Sequence, residues 1–171
     1  GESATLSLAM PEADAPLIKR ALWLMNQFGA LGGRSRNGWG SFCLLPLPAG
    51  AGWGEGKPPL RPWKDCLQLD WPHAIGQDTQ NRPLIWRTEP FGDWKAVMQR
   101  LAAIKIGART QFKFPAAPPG PVHDRHWLSY PVTNHRVNAW GNNARLPNTL
   151  RFKVRPTQDG KLVGVIFHVP H

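Results

Sequence analysis

The sequence is poor in cysteine and in acidic side chains, and it contains no long apolar run. Two cysteines, Cys43 and Cys66, occur among 171 residues. With no second cysteine near either, a disulfide framework and a CxxC zinc knuckle are both excluded, and two free buried thiols are expected. No stretch approaches the roughly 18 apolar residues needed to span a bilayer, and no cleavable leader pattern is present. The 17 glycines and 18 prolines follow no period, which excludes a collagen-like or repeat chain. The first residue is Gly1 rather than Met, so a piece of a longer protein is expected.

The shortage of acid is concentrated in one half. The whole chain carries 21 Lys+Arg against 11 Asp+Glu, a formal charge of +10. Residues 100–171 hold eleven basic side chains but only Asp124 and Asp159 as acids, so nearly all the excess lies there. A cationic segment of this kind favours polyanions, nucleic acid before an anionic membrane, because no basic amphipathic helix carries the charge. Arginine exceeds lysine, which suits bidentate phosphate contacts and base stacking.

The length and a 42% apolar content predict one domain over residues 1–171 with its own core. Loop insertions are expected at 46–64 and 114–148, where proline and glycine accumulate. Thr5–Met10 alternates Leu6, Leu8 and Met10 on one side, which predicts a half-buried strand. Asp14, Pro16 and the stripe Leu17, Ala21, Leu24, Met25 and Phe28 predict a helix that stops at Gly29. Short strands are expected at Trp39–Leu45, at Leu67–Trp71 and at Leu84–Trp86, with Pro72–Pro83 as loop. Asp93 predicts a cap for a second helix, whose face is Trp94, Val97, Met98, Leu101 and Ile104 and which ends at Gly107. In the last segment Leu150, Phe152 and Val154 alternate with Arg151, Lys153 and Arg155, giving one apolar and one basic face. Asp159-Gly160 marks a hairpin turn before the apolar strand Val163–Val169. The order β-α-β…β-α-β-β predicts an α+β fold, ferredoxin-like (RRM-like), with a βαββαβ antiparallel sheet, two helices and a glycine-rich loop.

That loop, Gly29–Phe42, is the most informative stretch. Five glycines and two arginines lie between a helix and the next apolar run. Its backbone can approach a ligand closely, Arg34, Ser35, Arg36 and Asn37 can meet phosphates, and Trp39 offers a stacking face. It is neither a Walker A loop nor a Rossmann fingerprint. The competing reading is a tight connection with solvated arginines. Lys105 and Arg109 either face the C-terminal dipole of their helix or contact phosphate. His123 and His126 stand three apart, but the neighbouring prolines argue for loop and no third ligand follows, so no metal and no cofactor is expected. His126 and His135, beside Arg125, Arg136 and Arg145, form an acid–base pair only if the protein is a metal-independent ribonuclease; RNA contact or loop capping is the plainer role.

The segment Ala21–Phe42, ending FGALGGRSRNGWGSF, resembles the glycine-rich loop of the RAMP superfamily of CRISPR-associated proteins. DWPHAIG (Asp70–Gly76), AAIKIGAR (Ala102–Arg109), DRHWLSYPVTNH (Asp124–His135) and RLPNTLRFKV (Arg145–Val154) resemble the subunit-one family of the type III-B (Cmr) effector complex. That family has two ferredoxin-like halves, and this chain resembles the C-terminal one. The resemblance implies a non-catalytic, cytoplasmic RNA-binding subunit that works near the guide 3′ end in antiviral defence. Its implied partners are guide and target RNA and neighbouring RAMP subunits, with no membrane. The charge pattern and the loop, read together with this resemblance, give the expected RNA-binding set Arg34, Ser35, Arg36, Asn37, Trp39, Lys105, Arg109, Arg125, His126, His135, Arg145, Arg151 and Lys153. A guide-processing endoribonuclease using His126 or His135, and a mainly protein-binding scaffold, are the alternatives.

Overall fold

A computed structural model describes residues 2–47, 56–70, 72–115 and 120–170. Trp53, Trp71 and His171 lie outside the described residues. The chain is a mixed α+β structure. Helix α1 spans Ala15–Phe28, and a small parallel sheet pairs β1 (Leu60–Pro62) with β2 (Ile75–Gln77) around the short helix α2 (Trp63–Cys66). Strand β3 (Ile85–Arg87) and helix α3 (Trp94–Thr110) follow, then the short helix α4 (Asp124–Leu128) and the hairpin β4 (Leu150–Pro156) and β5 (Leu162–His168). Strands β3, β5 and β4 form an antiparallel sheet with β5 in the centre.

The terminal hairpin follows from its alternation. Pairing Phe152 with Ile166 and Val154 with Gly164 turns those residues to one face, where Val97 and Leu101 of α3 complete a core. Gly164 permits that approach: a Cβ there would lie 2.5 Å from Leu101 Cδ2. Lys153 pairs with Val165 and Arg151 with Phe167 on the other face, where Phe28 of α1 meets Phe167 edge-on at 5.1 Å. Helix α3 thus packs on one face of the sheet, and the C-terminal end of α1, with Leu60 and Ile75 of the small sheet, meets the other. Asp93 caps α3 as expected, its carboxylate accepting from the Ala96 N–H at 2.9 Å.

Several local expectations fail for identifiable reasons. Thr5–Met10 joins no sheet, and Leu6, Leu8 and Met10 are exposed. The outer edge of β4 is already occupied by the glycine-rich loop, through an Asn37–Phe152 bridge, and β2 reaches the β3 side through the Leu84 N–H donating to Gly76. Helix α3 runs past Gly107 to Thr110, because a single glycine weakens a helix without ending it. Ile75–Gln77 is strand rather than loop, since it pairs with Leu60–Pro62. Leu67 and Leu69 are exposed after α2 and form no strand, and Trp39–Leu45 contributes only a bridge between Ser41 and Ala30. The expected insertion at 46–64 includes β1, and that at 114–148 contains α4 and a 3-10 turn at Asn138–Trp140. Cys66 is buried but Cys43 is exposed. Among the described residues no helix is long and apolar enough to cross a membrane.

Candidate nucleic-acid interface

The glycine-rich loop is closed at its base and pinned to the sheet edge. The Leu31 N–H donates to Gly40 at 2.9 Å, and only glycine fits at position 40, where φ is +68° and a Cβ would collide with the Leu31 carbonyl. Ser41 Oγ donates to the Gly38 carbonyl at 2.6 Å and accepts from the Val154 N–H at 2.9 Å. The Arg36 carbonyl accepts from the Phe152 N–H at 3.2 Å, which extends the β4 edge. Gly38 is buried against Met98 and Leu101 of α3. The loop therefore wraps the edge strand rather than hanging in solvent.

This placement gathers part of the expected set. Arg34 and Arg36 are exposed on the loop, and Ser35 is half-buried, its N–H donating to Gly32. Asn37 Oδ1 accepts from Lys105 Nζ at 2.7 Å, which ties the loop to α3. Burial, and then the charge of Arg109, pushes the Lys105 ammonium down. Arg151 lies half-buried beside Arg36; desolvation and then that neighbouring charge disfavour its charged form. Trp39 is 51% exposed and meets Trp94 edge-on at 6.4 Å. The Nε atoms of Arg109, Arg125 and Arg151 are buried without a hydrogen-bond partner. Three ion pairs occur among the described residues, Arg82–Asp78, Arg100–Glu89 and Lys161–Asp159, and none involves these cations. The loop, the C-terminal half of α3 and the start of β4 thus concentrate positive charge that no carboxylate neutralises there.

Other expected members do different work. Lys153 is not a solvent-facing phosphate ligand: it is fully buried, and its ammonium donates to the carbonyls of Met25 and Gly29 at the C-terminus of α1. The basic face of β4 is covered there because α1 ends on it, and the Lys153 cation also lies 4.3 Å from the Phe42 ring centroid. His126 is 1% exposed; Nδ1 accepts from the His123 N–H at 3.0 Å and Nε2 bonds the His135 carbonyl at 2.9 Å. That pattern requires the neutral Nε2–H tautomer and leaves neither nitrogen open to RNA or to proton transfer. His123 and His126 lie at the start of α4 rather than in an open loop, in a reciprocal capping arrangement. His135 stacks on Phe114 at 3.7 Å, and Arg125 lies 5.3 Å from the same ring. Arg145 donates to the carbonyls of its own loop, Asn142 and Ala144. Among the described residues no group of three or more metal-ligating side chains occurs.

The aromatic cluster of Phe114, His123, His126, Tyr130, His135 and Trp140 was not anticipated. The density of rings between residues 123 and 140 is the signal that could have revealed it. Comparison with known proteins adds nothing: no family model, no curated protein and no solved structure matches the chain.

Lys153 has a measurable consequence. Burial, and then the charge of Arg155, lowers its ammonium from 10.5 to about 8, with Cys43 opposing. Between those values the unfolded chain keeps the proton that the folded chain has shed, so stability rises with pH across that window. Below pH 8 both states are protonated and the desolvation cost is carried in full. Relative to Lys153→Met, the wild type is expected to gain about 2 kcal/mol from pH 7 to pH 10. Urea unfolding of both proteins measures this, and a pH-independent difference contradicts it.

Proposed function

We propose that this chain binds single-stranded RNA without cutting it, as an RNA-holding subunit of a type III-B CRISPR effector. The observation that carries the reading is the cluster of Arg34, Arg36, Lys105, Arg109 and Arg151, which has no carboxylate partner among the described residues, around a loop whose backbone lies against a sheet edge. Phosphates supply the missing anions, and the exposed Trp39 takes a base. Guide and target RNA, neighbouring RAMP subunits, the ferredoxin-like ancestry of the fold and a cytoplasmic location belong to this proposal through the resemblance of the motifs. The non-catalytic reading is supported by the internal engagement of both His126 nitrogens.

A surface for protein partners is favoured by a separate observation. Leu6, Leu8 and Leu17 stand exposed at 63%, 49% and 68% in and beside an N-terminal segment that joins no sheet.

Titration of a labelled single strand against salt tests the RNA reading. The log of the binding constant is expected to fall with log salt at a slope of about −3, from four to five phosphates at about 0.7 each. The strand is expected to remain intact in EDTA. Binding that ignores salt, or specific cleavage, contradicts the proposal.

A further inference from the structure

The register of the sheet assembles a second cationic pair that the sequence motifs do not mark. On the face that carries α1, Arg87 of β3 stands opposite Val165 of β5, and Arg155 of β4 stands opposite Val163. The two arginines therefore flank the central strand diagonally, their backbones about 12 Å apart, within reach of each other's long side chains. Arg87 is exposed and Arg155 half-buried. Desolvation, and then the charge of Arg87, lowers the Arg155 guanidinium, with Cys43 acting in the opposite direction. Neither takes part in an ion pair among the described residues. Two guanidiniums held close, one partly stripped of water, form an arrangement that an anion relieves.

The pair also lies in line with the loop site. Arg151, Lys153 and Arg155 project from the same face of β4, Arg36 lies beside Arg151, and Arg87 lies beside Arg155. Lys153, the middle member, is turned inward onto α1, so the row offers cations at its two ends. Arg151 and Arg155 are four residues apart on a strand, about 13 Å.

We infer that Arg87 and Arg155 clamp a further phosphodiester of the strand held by the glycine-rich loop, making the α1 face of the sheet an extension of the RNA track. This rests on the RNA reading above. The loop end meets one portion of the strand and the Arg87–Arg155 end another, so the second clamp contributes only to ligands long enough to reach it.

Two oligouridylates test this, one of about three nucleotides and one of about twelve. The double variant Arg87→Gln/Arg155→Gln is expected to bind the short probe like the wild type. It is expected to bind the long probe about tenfold more weakly, with a salt slope shallower by about 0.7, for the one phosphodiester lost. Arg87→Glu, at an exposed position, carries the test if the double variant fails to fold. It gives Arg155 a carboxylate partner, so its melting temperature should rise while long-probe affinity falls. Unchanged affinity and slope for the long probe in both variants, with the wild type still binding, overturns this inference and leaves the RNA reading standing. A wild type that binds neither probe overturns both.

Discussion

Replacing Arg34 and Arg36 together with alanine is expected to lower affinity for a single-stranded RNA by about a hundredfold or more, because two charge-assisted phosphate contacts are lost. Both side chains are exposed and neither holds an ion pair among the described residues, so the fold gives up little with them. The attachment of the loop depends on other atoms: the Arg36 carbonyl, Ser41 Oγ and the Asn37–Lys105 bond all survive the substitution. Removing Arg36 also relieves the like charge beside Arg151. The melting temperature should therefore shift by no more than about 0.5 kcal/mol equivalent. Filter binding and thermal melting together check the prediction, and wild-type affinity in the double variant contradicts the role of the loop.

The second large effect lies in the core. Leu101 is 1% exposed and sits between the sheet and the loop, touching the positions of both Gly164 and Gly38. Leu101→Ala leaves a cavity that the β5 backbone cannot fill, because Gly164 has no side chain to move inward. A loss of about 3 kcal/mol is expected, or a melting temperature lower by about 10 °C. Denaturant unfolding measures it; a loss below about 1 kcal/mol contradicts the packing described here.

Helices and the terminal hairpin were readable in the sequence because their signals are local. The stripe from Leu17 to Phe28, the Asp93 cap and the alternation from Leu150 to Arg155 each specify an element without reference to distant residues. The edges of the sheet were not readable. Whether Thr5–Met10 or the loop takes the β4 edge depends on competition between distant segments, which periodicity does not report. The site divided in the same way. The loop arginines, Asn37 and Lys105 come together as the charge pattern implied, whereas Lys153 and His126 turn inward. Alternation shows that Lys153 faces away from the α3 core but not that α1 ends over it. A histidine next to arginines reads as a ligand until the carbonyl of His135 is seen to accept from it. Arg87 and Arg155 carry no local sequence signal, because their proximity exists only once β3 and β4 are registered on β5.

Ultraviolet crosslinking of the wild-type chain to a labelled single strand, with the attached peptides mapped, bears most directly on whether unneutralised arginines along this sheet edge hold RNA. Adducts are expected on the peptides carrying Trp39, the Lys105–Arg109 turn of α3 and the start of β4. Crosslinks confined to the N-terminal leucines or to the aromatic cluster around His126, or none at all at low salt, would contradict it.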